Sequence, residues 1–174
     1  MNKKIFKPIF AALFAAIICV ATFIIQIPVA VTGGYINMGD CFVLLSGIVL
    51  GPVYSFLAAG LGSALADILS GYVLYAPATF LIKGIMALVI SLLFKCFKSK
   101  NNIFTLLLLG LISEAIMIVG YFVYECFILS YGFGAVGAIP GNIFQGIFAI
   151  TVNTLLVQII SKNIKLKNIL NWRE

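Results

Sequence analysis

The sequence predicts an all-α integral membrane protein, a bundle of six transmembrane helices with both termini in the cytoplasm. Three observations predict it. First, 63% of the 174 residues are hydrophobic and 9% are charged, against roughly 45–50% and about 25% in a soluble domain. Polar surface is too scarce to coat a water-soluble globule. Second, apolar runs near the ~20 residues that cross a bilayer follow one another with short polar breaks. The length leaves no room for a separate soluble domain, so residues 1–174 read as one membrane unit. Third, the Lys and Arg residues, Lys83 apart, fall on alternate connections only, which is the orientation signal of a multi-pass protein.

The spans follow in order. The first runs from Pro8, a residue tolerated at a helix start, to Ile27. Its apolar run is longer than the ~7–15 residues of a cleaved signal peptide, so a retained helix is expected. Pro28 to Asp40, with Gly33-Gly34 and Asn37, reads as a loop. Span two, Cys41–Leu50, is short and broken by Gly51-Pro52. Span three covers Val53–Gly71 and span four Ala78–Phe94, joined by a loop over 72–77. Span five covers Ile103–Ser130. A glycine-rich loop over 131–140 leads to span six, Gly141–Ile160.

Six spans put Lys3, Lys4 and Lys7, the connector lysines Lys95, Lys98 and Lys100, and the tail residues Lys162, Lys165, Lys167 and Arg173 on one side of the membrane. The three opposite loops hold no Lys or Arg. The positive-inside rule then places both termini in the cytoplasm. The net charge of +6 therefore does not point to nucleic acid, because no basic patch with interleaved aromatics lies outside the spans. Cys19, Cys41, Cys96 and Cys126 show no CxxC spacing, and the chain has no histidine. They read as small apolar side chains rather than metal ligands, and no metal or cofactor is expected.

Charges inside a bilayer are costly and mark candidate sites. Asp40, Asp67, Lys83, Glu114 and Glu125 stand at or within the spans, mostly toward the outer side. Glu114 falls near the midplane. Neutral polar residues share the bias. Asn142, Gln145 and Asn153 lie on one face of span six. Glu114, Tyr121 and Glu125 share a face of span five, and Gly60, Ser63, Asp67 and Ser70 one of span three. With Tyr35, Asn37, Tyr72, Tyr75 and Thr79, these residues suggest an outward-open pocket for a small, polar, aromatic compound. Other uses stay open: Lys83 can neutralise Asp67 or Glu114, tyrosines collect at interfaces, and Asn and Gln join helices.

Span one carries two small-residue pairs, Ala11/Ala15 and Ala12/Ala16, where a second helix can approach closely. Gly60-Leu61-Gly62 lies within an apolar helix with no preceding strand, and so reads as close packing rather than a dinucleotide loop. No P-loop, GxSxG or HExxH occurs. The chain is not expected to be an enzyme, and energy for uphill transport would come from ions or a partner.

Three segments resemble the S-components of energy-coupling factor (ECF) vitamin transporters: residues 35–40 (Tyr-Ile-Asn-Met-Gly-Asp), Leu50-Gly51-Pro52 with the run from Ala58 to Asp67, and residues 75–84 (Tyr-Ala-Pro-Ala-Thr-Phe-Leu-Ile-Lys-Gly). Size, span number and the alanine-rich first helix extend the likeness over nearly the whole chain, and the pyridoxine or hydroxymethylpyrimidine branch is the one most resembled. The resemblance implies a vitamin-binding subunit of a prokaryotic plasma membrane importer, with a transmembrane T-component and two cytoplasmic ATPases as partners. It implies ligand contacts from the first outer loop and the outer halves of helices three to six. It also implies a T-component contact at Ala11/Ala15 or Ala12/Ala16. A stand-alone ion-coupled transporter, with Asp67, Glu114 and Lys83 as a relay, is the alternative.

Overall fold

The computed structural model describes residues 3–30, 32–97 and 102–162, without the side chains of 3–6. Much of the charge asymmetry falls elsewhere: the side chains of Lys3 and Lys4, and residues Lys98, Lys100, Lys165, Lys167 and Arg173, lie outside the described residues.

Six α-helices dominate: α1 (Lys3–Ile24), α2 (Asp40–Leu50), α3 (Pro52–Leu69), α4 (Ala76–Cys96), α5 (Ile103–Val123) and α6 (Ile139–Lys162). The helix α1 starts before Pro8, which therefore sits inside it rather than at its start. Gly51, at φ 84°, turns the chain between α2 and α3, and Pro52 opens the latter. The Asn102 side chain caps α5 by accepting the Phe104 N–H at 3.2 Å. At its far end α5 loosens into a π-helical turn, Tyr124–Ile128. The glycine-rich loop expected after it is a 3₁₀ segment, Gly132–Ala138.

The described chain is nearly all helical, as expected, with one exception: the first long loop is an antiparallel hairpin of β1 (Gln26–Val29) and β2 (Gly34–Asn37), paired from Gln26–Asn37 to Val29–Gly34. Gly33, at φ 64°, makes its turn. Strands of four residues are too short to show an alternating pattern, and Pro28 can stand in a two-stranded ribbon because an edge position needs no N–H donor. Among the described residues, five helices are long and apolar enough to cross a membrane, and the second expected span, α2, is a shorter apolar helix. At 11 residues, α2 rises about 16 Å, half of a roughly 30 Å hydrocarbon core. Ten of its residues are buried.

The outer faces of the long helices carry exposed Leu13, Leu61, Leu111 and Ile147. A continuous apolar belt of this kind calls for lipid rather than water. Inside, Phe14, Leu44, Ile48, Ile90, Leu109 and Val157 form one buried cluster, and Ile18, Val43, Met86 and Met117 a second. Glycines bring the helices close: a Cβ on Gly62 would stand 2.5 Å from the Ala15 carbonyl oxygen, and one on Gly47 2.7 Å from that of Ala87. Lys7, the Gly51-Pro52 turn and Lys95 line one groove, so α1 begins, α2 ends and α4 ends at the same end of the bundle. The hairpin occupies the other end.

Candidate functional site

The hairpin end of the bundle holds a small polar cavity. The hairpin supplies Tyr35 and Asn37, α3 supplies Asp67, and α4 supplies Thr79 just after its N-cap residue Tyr75. Tyr121 comes from α5, Glu125 from the π-helical turn, and Asn142 and Gln145 from the first turns of α6. Its volume is about 30 Å³, room for one or two waters.

Hydrogen bonds pin the hairpin over this space. The Tyr35 hydroxyl donates to Asp67 Oδ1, and its ring stands 4.6 Å from that of Tyr72. Burial, reinforced by the Asp67 charge, pushes the Tyr35 phenol far above its ordinary range, so it stays a neutral donor. Gln26 Nε2 donates to Ser70 Oγ at 2.6 Å. The Asn37 N–H donates to Gln145 Oε1 at 2.7 Å, and Asn37 Oδ1 accepts the Gly39 N–H at 2.9 Å. The Tyr75 hydroxyl lies 2.8 Å from the Thr32 carbonyl and 3.2 Å from Glu125 Oε1. Thr79 Oγ1 and the Tyr121 hydroxyl are 3.0 Å apart.

Nine of the twelve residues expected to bind a ligand line this cavity. The other three do not. Asp40, Lys83 and Glu114 lie behind it, each at most 3% exposed. Lys83 Nζ meets Asp40 Oδ1 at 2.5 Å, and not Asp67 or Glu114, the two acids that the sequence left open as its partners. The pair forms because α2 and α4 pack closely at Gly47, which brings the start of α2 within reach of the fourth helix. Gln145 Nε2 donates to Asp40 Oδ2 at 2.5 Å. Gln145 thereby ties the hairpin to the buried ion pair. Lys83 also stands 5.3 Å from the Tyr121 ring centroid. Both Glu114 oxygens lack a hydrogen-bond partner, and its side chain rests against Gly146.

Other expected positions scatter. Gly60 faces Phe80 rather than the cavity. Asn153 and Ser63 are buried away from it. The π-helical turn had no sequence signal. By adding a residue to a helical turn it changes which side chain faces inward, and it carries Glu125. On α1 the two alanine registers separate. Ala11 is buried and Ala15 half-buried against α3, whereas Ala12 and Ala16 are exposed.

Helices of lipid-crossing length around a polar cavity mark this chain as a multi-pass membrane protein. Residues 2–162 match the family model described as the ECF-type riboflavin transporter S component, and the chain belongs to that family. It is also 31% identical over 147 residues to an uncharacterized protein in gap 3'region of Pyrococcus woesei. That match covers 84% of this chain and 96% of the relative.

Proposed function

We propose that this chain is the substrate-specific binding subunit of an ECF-type importer in a prokaryotic plasma membrane. It captures a small water-soluble vitamin or precursor, pyridoxine- or hydroxymethylpyrimidine-like, and delivers it with a T-component and two cytoplasmic ATPases. It has no ATPase or other enzymatic role of its own. The observation that carries this reading is the cavity itself: acids, amides and tyrosines from the hairpin and four helices converge at one end of an otherwise apolar bundle. With room for one or two waters, the cavity as it stands admits no vitamin, so ligand entry requires the hairpin and Tyr75 to yield.

Six crossings fit this reading if α2, which runs back to the Lys7–Lys95 end, counts as one. The described Lys7 and Lys95 share that end, which the positive-inside rule assigns to the cytoplasm. The cavity then opens outward. The ion-relay alternative has less support, because Lys83 is engaged with Asp40 and not with the other members of the relay.

Ligand binding to the folded state alone stabilises it by mass action, about 2.7 kcal/mol at a hundredfold excess over Kd. For a chain of this size that raises Tm by about 5–10 °C. We expect such a rise for one member of a B-vitamin panel, including pyridoxine, hydroxymethylpyrimidine and riboflavin, added to the detergent-solubilised protein. A flat response across the panel removes the binding-subunit reading.

The exposed Ala12/Ala16 pair is the register free to meet a T-component helix. Replacing Ala16 by leucine is expected to abolish co-purification with the importer complex while leaving the ligand-induced rise in Tm intact. Undiminished assembly would refute this contact.

A further inference from the structure

We propose that the cavity selects a small heteroaromatic monocation, its ring beside tyrosine side chains and its positive charge held by the Asp67 and Glu125 carboxylates. This deepens, and rests on, the reading of the chain as a binding subunit.

The argument begins with charge. Four of the chain's five acidic residues, Asp40, Asp67, Glu114 and Glu125, are buried at no more than 3% exposure. One cation, Lys83, is buried with them, and Asp40 already takes its ammonium at 2.5 Å. The other basic side chains described are Lys7 and Lys95, at the opposite end of the bundle, and Lys162 in the last turn of α6. Carboxylates taken out of water without a counter-charge are strongly unfavourable. Tyrosine hydroxyls lessen that penalty at Asp67 and Glu125, but each acid keeps one oxygen, Asp67 Oδ2 and Glu125 Oε2, with no hydrogen-bond partner. Both side chains line the cavity. A ligand cation entering here would offset that cost.

The rest of the lining says what kind of cation. Tyr35, Tyr75 and Tyr121 border the same space. The Tyr75 ring centre lies 6.5 Å from that of Tyr121, and Tyr35 is backed by Tyr72. Aromatic faces attract organic cations through the ring quadrupole and stack on a flat heterocycle. The amides of Asn142 and Gln145 add neutral partners for ring nitrogens or hydroxyls. Among the described residues no three His, Cys, Asp or Glu side chains gather as metal ligands, so the geometry favours an organic ion over a bare metal.

The test uses the full chain in detergent, with calorimetry on two cationic probes, pyridoxamine and thiamine, and two probes of no net charge, pyridoxine and riboflavin. Pyridoxamine and pyridoxine differ only in an ammonium against a hydroxyl. A charge-assisted contact predicts that a cation binds about 10- to 100-fold tighter than its neutral counterpart. In Asp67→Asn and Glu125→Gln that preference should fall about tenfold or more, while the ligand-free variants melt above the wild type because an uncompensated charge is gone. If a neutral probe binds and the cations do not, or the preference survives both substitutions, the charge assignment is overturned and the binding-subunit reading stands. If nothing in the wider vitamin panel binds, both fall together.

Discussion

Replacing Lys83 by methionine is expected to destabilise the protein by about 3–5 kcal/mol, lowering Tm by roughly 6–20 °C for a chain of this length. Methionine fills much of the same volume, so the effect isolates charge. The ammonium is 1% exposed and meets Asp40 at 2.5 Å. Without it, Asp40 and Glu114 stand as neighbouring carboxylates in an apolar interior, with only Gln145 donating to the first of them. Removing both partners behaves differently, because a pair deleted whole leaves no orphaned charge. The double variant Lys83→Met/Asp40→Asn should therefore regain most of the loss. An asparagine there can still accept the Gln145 amide. Thermal melts of the four proteins close a double-mutant cycle. A Lys83→Met melt indistinguishable from the wild type would show that the pair contributes nothing.

Gly62→Leu is expected to force α1 away from α3. In an open helix, exchanging glycine for a residue with a side chain stabilises by about 0.5–1 kcal/mol. Here the sign reverses, because the first added carbon would lie 2.5 Å from the Ala15 carbonyl oxygen. Backbone cannot rotate aside as a side chain can. Overpacking of this kind costs about 1–3 kcal/mol, and leucine exceeds alanine because its branch must also find room. The order of Tm should be wild type, then Gly62→Ala, then Gly62→Leu. An alanine variant more stable than the wild type would mean that the two helices do not touch at this point.

The long helices were legible because composition and run length report lipid exposure directly, as the outward Leu61 and Ile147 illustrate. The gathering of polar groups at one end was legible too, since Asp67, Tyr75 and Asn142 all flank loops on the same side of an alternating topology. Pairings across the bundle were not. Lys83 and Asp40 are 43 positions apart, and which acid the lysine meets depends on how α2 and α4 rotate against each other, which Gly47 settles through a backbone approach that no periodicity encodes. The same holds for the alanines of α1: two registers differ by 100° of helix rotation, and only the position of Gly62 distinguishes them. The hairpin was hidden because four-residue strands carry too few side chains to display alternation, and the π-helical turn because one extra residue per turn leaves no compositional trace.

The shortness of α2 bears on how the chain is made. An enclosed helix spanning about half the hydrocarbon thickness has no stable resting place in lipid by itself, and the Asp40 carboxylate at its head makes solitary insertion still less favourable. Joined to α3 through Gly51-Pro52, it gains its burial only when the longer helices pack around it. Its charged start can then be neutralised only after Lys83 has been synthesised.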